Sequence, residues 1–301
     1  MTVHQVAAVR PKAVSAGALV RALRPRQWLK NLLVLTAPLA SGQIVELRVA
    51  AATAAAFLAF CCASSAIYLL NDVRDVDADR RHERKRHRPV ASGDLAAPMA
   101  LAASATLAAT SLVIAALATS GPFVLLLTAY LVVMAGYCLW WRAEPVIDLA
   151  IIALGFLGRG IAGGVAAGIV LSNWFLIVAG FGALFIAAGK RYSEAMSGTV
   201  DARRVLESYT VSFLRTVWTL AVAVTVVGYC LWAFEMSADR QGAPWAAISV
   251  VPFLVAVLRY ARTVDAGRAE EPEAVVLADR PLLGLGLLWL VFFALGAFGA
   301  G

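Results

Sequence analysis

Residues 49–70 form an unbroken apolar run that stops at Asn71-Asp72-Val73-Arg74-Asp75-Val76-Asp77-Ala78-Asp79, a cluster of carboxylates at the edge of a hydrophobic segment. The run is long enough to cross about 30 Å of hydrocarbon as a helix. If that helix continues past Leu70, then Asp72, Asp75 and Asp79 stand at i, i+3 and i+7 and share one face, with Asn71 beside them. Three carboxylates on one face repel unless a cation sits among them. Mg2+, which binds through one or two carboxylates plus substrate phosphates, is the natural candidate. Arg80-Arg81-His82-Glu83-Arg84-Lys85-Arg86-His87-Arg88 follows at once and is rich in phosphate-seeking donors. A plainer reading is a charged loop whose acids and bases neutralise one another, with Arg80 and Arg81 serving topology alone. The spacing and the asparagine favour a metal–diphosphate site.

The remaining sequence has the composition of a polytopic membrane protein. Of 301 residues, 61% are hydrophobic and only 15% are charged, and the mean hydropathy is +0.79; soluble domains carry far more charge. Apolar stretches at 27–45, 97–119, 121–141, 146–170, 173–189, 211–235, 244–261 and 281–300 join 49–70 to give nine expected helices. They form one all-α catalytic domain over 21–301, preceded by a disordered basic tail at 1–20. With the N-terminus inside, the outer loops hold only Arg48 and Arg240, Arg159 lies within a span, and the other basic residues face inward. That asymmetry predicts a cell-membrane protein with a cytoplasmic N-terminus and a cytoplasmic site. A net charge of +7 then faces anionic headgroups and phosphorylated substrates, with no nucleic-acid partner implied. A homo-oligomer is compatible with this composition.

The long, charged inward loops at 71–96, 190–210 and 262–280 place function at the inner mouth, where Arg24-Pro25-Arg26-Gln27-Trp28-Leu29-Lys30-Asn31 also lies. Pro38 is expected to bend the first span. Gly160, Gly164 and Gly168 read as a small-residue stripe for close helix packing. Arg159 beside them is costly at mid-span, and is expected to meet either a substrate phosphate or an acid such as Asp148. The four cysteines lie in or at the ends of apolar helices and read as small buried hydrophobes. The three histidines are too scattered for a zinc site.

The Asn71-Asp72-x-x-Asp75-x-x-x-Asp79 pattern resembles the first Asp-rich motif of the UbiA superfamily of intramembrane prenyltransferases. The resemblance implies a nine-helix bundle around a central cavity open to the cytoplasm, with Mg2+ bridging carboxylates and a diphosphate. Where family members carry a second Asp-rich motif, this chain reads Gly189-Lys190-Arg191-Tyr192-Ser193-Glu194, then Asp201 and Leu206-Glu207-Ser208-Tyr209-Thr210. A basic pair in that place is similar to one branch of the superfamily, the decaprenyl-phosphate phosphoribosyltransferases of actinobacterial arabinan synthesis. So are Arg24–Asn31, Lys85-Arg86-His87-Arg88-Pro89 and Trp232-Ala233-Phe234-Glu235. That resemblance implies transfer of 5-phosphoribose from 5-phosphoribosyl diphosphate to a polyprenyl phosphate. It assigns Asp72, Asp75 and Asp79 to the metal, with Asn71 beside them. Lys30, Lys85, Arg86, Arg88, Arg159, Lys190, Arg191 and Glu207 become candidates for substrate binding. Asp75, Asp79, Lys190, Tyr192 and Glu194 become candidates for catalysis. Two rivals remain: a prenyltransferase acting on an aromatic or quinone precursor, and a transporter without chemistry, which would place charge at the bilayer midplane.

Overall fold

A computed structural model of the chain describes residues 16–197, 208–238 and 243–298. Among them every regular element is helical. Eight helices are long and apolar enough to cross a membrane. They are α3 (Leu47–Arg74), α5 (Ala97–Ala118), α6 (Gly121–Leu139), α7 (Ile147–Ala167), α8 (Asn173–Ser197), α9 (Val211–Ala238), α10 (Trp245–Asp265) and α12 (Arg280–Phe298). Shorter helices are α1 (Ala16–Leu23), α2 (Thr36–Ala40), α4 (Val76–Arg81) and α11 (Pro272–Ala278). The start of α1 at Ala16 places regular structure inside the stretch expected to be a disordered tail; residues 1–15 lie outside the described range.

The expected first span is where the fold departs from the prediction. It is no continuous α-helix but a 3-10 helix over Pro25–Leu35, then α2, then a 3-10 turn at Gln43–Val45. The segment runs antiparallel to α3: Trp28 donates to Ser65 Oγ at 3.1 Å and Asn31 to Ser64 Oγ at 3.2 Å, and Val45 lies just before the start of α3. Three residues per turn stack side chains at i, i+3 and i+6, which gives this segment three faces. Trp28, Asn31 and Val34 face the bundle, the last two fully buried. Arg26, Leu29 and Leu32 are exposed. Arg24, Gln27 and Lys30 form the third face. At roughly 2 Å per 3-10 residue and 1.5 Å per α residue, Pro25–Ala40 extends about 30 Å, the depth of a hydrocarbon layer.

Helix α7 sits at the centre. It packs against the 3-10 segment, α2, α3, α6 and α8, and residues from it enter two apolar cores. One core joins Phe60, Phe123, Leu127 and Tyr130 with Ala162 and Ala166 of α7; the other joins Leu149 of α7 with Phe185, Tyr192, Trp218 and Tyr260. Helix α3 packs closely because its buried face is lined by Ala52, Ala56, Ala59, Ala63 and Ala66.

Of the expected stripe, Gly164 packs closely, where an added Cβ would lie 2.7 Å from Leu171 Cδ2 and 3.0 Å from Ala37 Cβ, but the tightest position is its neighbour Gly163. Gly168 instead ends α7 at φ +73, the left-handed conformation that favours glycine, and a Cβ on Gly160 would meet only ordinary contact, 3.7 Å from Thr36 Oγ1. At Gly163 an added Cβ would collide with the backbone carbonyl of Val34 and lie 3.0 Å from Pro38. Gly163→Ala is therefore expected to push the 3-10 segment off α7 and to cost about 1–3 kcal/mol, seen as a lower Tm in detergent. Gly158→Ala meets nothing within 4 Å and should leave Tm unchanged or raise it.

Candidate active site

Helix α3 ends at Arg74, and Asp75 (φ −99, ψ 7) is the joint to α4. The backbone ladder nevertheless carries across it, with the Asp75 N–H on Asn71 O at 2.9 Å and the Asp79 N–H on Asp75 O at 2.8 Å. Helical phase therefore survives the joint. Asp72 and Asp79 turn inward, 1% and 4% exposed, while the Asp77 side chain stays 79% exposed.

Each inward acid meets an arginine from a different element. Asp72 pairs with Arg24 and, at 3.3 Å, with Arg88, and Arg88 also reaches Asp79 at 2.7 Å. Asp75 pairs with Arg142, from the 3-10 turn at Trp141–Ala143, and accepts from Asn71 Nδ2 at 3.2 Å. Arg24 also lies over the Tyr68 ring, 5.0 Å from its centroid. Among the described residues no three acidic, histidine or cysteine side chains stand close enough to form a ready metal cage. The cause is electrostatic, since guanidinium groups already neutralise the acids. Still, Asp72 Oδ2 is buried and has no hydrogen-bond partner. Mg2+ asks only one or two carboxylates of a protein, so the donor set fits a hard divalent cation.

The same 3-10 face that carries Arg24 to Asp72 carries Lys30 to Glu273 of α11, 3.1 Å away. Burial opposes ionisation of Glu273, yet Lys30, the residue's own backbone N–H and Gln27 outweigh it and hold the carboxyl below the usual glutamate range.

Several expected site residues have structural partners instead. Arg191 is 1% exposed and clamps Asp148 through Nε–Oδ2 and Nη2–Oδ1 bonds of 2.7 Å each; it also pairs with Glu194 and donates to Tyr137 at 3.1 Å. A guanidinium so saturated binds no phosphate without breaking the clamp. Tyr192, expected to be catalytic, is fully buried against Trp218 and accepts from Arg215 at 2.6 Å. Arg159 does not pair with Asp148, which is held by Arg191. It donates to Asn31 Oδ1 at 2.9 Å, Gly155 O at 2.6 Å and Tyr130 Oη at 2.7 Å. Lys190 lies 3.8 Å from Glu194. Arg86 is exposed and Lys85 half-buried, while Arg88 joins the acid cluster. Glu207 and Asp201 lie outside the described residues.

Sequence reasoning set Arg24 and the loop that holds Glu273 at the inner mouth but gave neither of them, nor Arg142, a role in the site. The signal for Arg24 was a three-residue period through Gln27 and Lys30, hidden by the expectation of an α-helix. Arg142 and Glu273 are joined to the site only by contacts distant in the chain.

Residues 32–278 match the UbiA prenyltransferase family. A decaprenyl-phosphate phosphoribosyltransferase of Mycolicibacterium smegmatis is 48% identical over 294 residues, covering 93% of this chain and 92% of that protein. A Corynebacterium glutamicum protein of the same name is 46% identical over 295 residues, covering 96% and 89%. Among solved structures, a UbiA homolog from Archaeoglobus fulgidus bound to GPP and Mg2+ superposes with a TM-score of 0.70 at 19% identity, covering 94% of this chain and 99% of that one.

Two outcomes follow from the ion pairs. Arg191→Gln leaves Asp148 buried and unpaired, so it should lower stability by about 3–5 kcal/mol, read as a large drop in Tm; a phosphate-binding role alone would leave Tm intact. For Glu273, a depressed carboxyl stabilises the fold above the usual glutamate range, and that contribution is lost as pH falls through the lowered value. The Tm difference between wild type and Glu273→Gln should therefore be constant around neutral pH and shrink only in strong acid.

Proposed function

Because the chain belongs to the UbiA prenyltransferase family, we propose that it transfers 5-phosphoribose from 5-phosphoribosyl 1-diphosphate to decaprenyl phosphate or a similar polyprenyl phosphate, releasing diphosphate. The observation that carries this reading is the matching of Asp72, Asp75 and Asp79 by Arg24, Arg88 and Arg142 at one end of the bundle. Ligands for a divalent cation and donors for a phosphate-rich substrate stand side by side. Relatives at 46% and 48% identity that carry the phosphoribosyltransferase name support the choice of donor and acceptor.

The chemistry suits these residues. An oxygen of the lipid phosphate forms a bond to ribosyl C1 as the bond from C1 to the diphosphate oxygen breaks. The attacking group is already an anion, so no general base is needed. The work left is electrostatic: stabilising the departing diphosphate and an oxocarbenium-like sugar. Asp72, with Asp75 and Asp79, would hold Mg2+, which supplies charge neutralisation for the leaving group. Arg24, Arg88 and Arg142, now on aspartates, lie within a side chain's reach of a diphosphate bound against that face. Asn71 holds Asp75 in place. The lysine- and arginine-rich loops support a cytoplasmic mouth in the cell membrane.

The test uses the purified chain in detergent with Mg2+, polyprenyl phosphate and donor labelled in the ribose. Label should move into the lipid fraction, chelation should stop it, and Asp72→Asn should slow it by about a hundredfold or more. Prenyl transfer to an aromatic acceptor in place of ribose transfer would overturn the reading.

A further inference from the structure

Among the described residues two that are not glycine have positive φ, Arg24 (φ 56) and Val146 (φ 66). Both bear on the acid cluster. Arg24 itself pairs with Asp72, and Val146 comes four residues after Arg142, the partner of Asp75. Val146 is the more strained of the two. Its φ of 66 and ψ of −46, with the Ile147 N–H on Pro145 O at 2.7 Å, make a γ-turn of the rare, strained kind. A β-branched residue disfavours positive φ further. Such a conformation persists only where its surroundings hold it, and it is typical of functional sites.

What holds this turn lies 63 residues on in the chain: the Val146 N–H donates to the Tyr209 hydroxyl at 2.6 Å. The Tyr209 side chain is buried, 8% exposed, and its ring stacks on Phe213 with centroids 5.8 Å apart at 7°. The hydroxyl is therefore an anchored acceptor. At the other end of the connection Trp141 lies against α6, where a Cβ added to Gly136 would stand 2.5 Å from its ring. Arg142 is strung between these two fixed points. Relaxing Val146 to negative φ would redirect the chain that enters α7 and draw Arg142 away from Asp75.

Taking the proposed transfer as its premise, we infer that Tyr209 is a positioning residue: its hydroxyl holds the strained turn at Val146 in the form that keeps Arg142 at the diphosphate site. Tyr209 acts through Arg142 and touches neither metal nor donor. Two consequences separate this from a merely structural phenol. Glycine adopts positive φ freely, so Val146→Gly makes the hydroxyl dispensable. Once Arg142 is removed, the hydroxyl has nothing left to position.

The experiment measures binding of labelled inorganic diphosphate, with Mg2+, to the purified full chain by equilibrium dialysis. Tyr209→Phe keeps the stacked ring and should bind about tenfold more weakly, the loss of one hydrogen bond. Val146→Gly should bind as wild type does, and the Tyr209→Phe/Val146→Gly double variant should recover that affinity. Arg142→Gln should bind weakly, and adding Tyr209→Phe to it should change nothing further. Unchanged affinity in Tyr209→Phe, no recovery with glycine, or a further tenfold loss in the Arg142→Gln background would overturn the assignment. Should Tyr209→Phe be too unstable to purify, the glycine double variant must still purify and bind as wild type, and its failure overturns the assignment as well. If wild type transfers ribose to lipid while Tyr209→Phe binds diphosphate normally, the positioning role fails and the proposed function stands. If the variants behave as expected but wild type transfers no ribose, the function fails and the positioning role stands. If wild type binds no diphosphate, both fall.

Discussion

A charge taken out of water must be compensated by polar or charged neighbours, and at the mouth of this bundle opposite charges do so. Asp72, at the end of a membrane-crossing helix and 1% exposed, would be untenable alone. Its neutralisation draws Arg24 from the segment before α3 and Arg88 from the loop after α4 to one point. The same requirement ties Arg142 to Asp75, Arg191 to Asp148 and Lys30 to Glu273. Each pair joins elements that apolar packing alone would leave free to slide, because one alanine-rich helical face fits another in several registers.

The broken first crossing follows from the same need. A 3-10 helix stacks every third side chain, so Arg24, Gln27 and Lys30 reach the mouth in a row while Trp28, Asn31 and Val34 pack inward. An α-helix would instead merge those six residues onto one face about 160° wide and lose the separation of the two rows. The close approach this demands is made possible by Gly163, where α7 meets the backbone of the segment directly. The fit of this segment against α7 thus rests on Gly163 and its neighbour Gly164, where an added Cβ would lie 3.0 Å from Ala37 Cβ.

Arg159 shows how a buried cation is held without a carboxylate. Three oxygen acceptors surround it, and the Phe60 and Tyr130 rings lie 5.9 and 5.1 Å from its guanidinium. Arginine tolerates this better than lysine because its charge is spread out and weakly hydrated. In the apolar core it links the first crossing, through Asn31, to α6 and α7.

Much of this was legible in the sequence. Apolar runs placed the eight long helices, because crossing a membrane leaves a helix little freedom in length or composition. The spacing of Asp72, Asp75 and Asp79 announced a shared inward face, and helical phase survives the joint at Asp75. Local pattern could not say which cation each acid meets. Arg24, Arg88 and Arg142 look like the other basic residues that line one side of any such protein, and Arg191 and Tyr192 look as available as Lys190. The difference lies in contacts across tens of residues, where burial decides whether a charged side chain is a clamp, a core residue or a ligand. Sequence alone determined the membrane class, the helices and the acidic motif, since these rest on hydrophobicity and helical period. The tertiary structure decided the pairing of charges and the 3-10 form of the first crossing, because both depend on which distant groups share the same low-dielectric space.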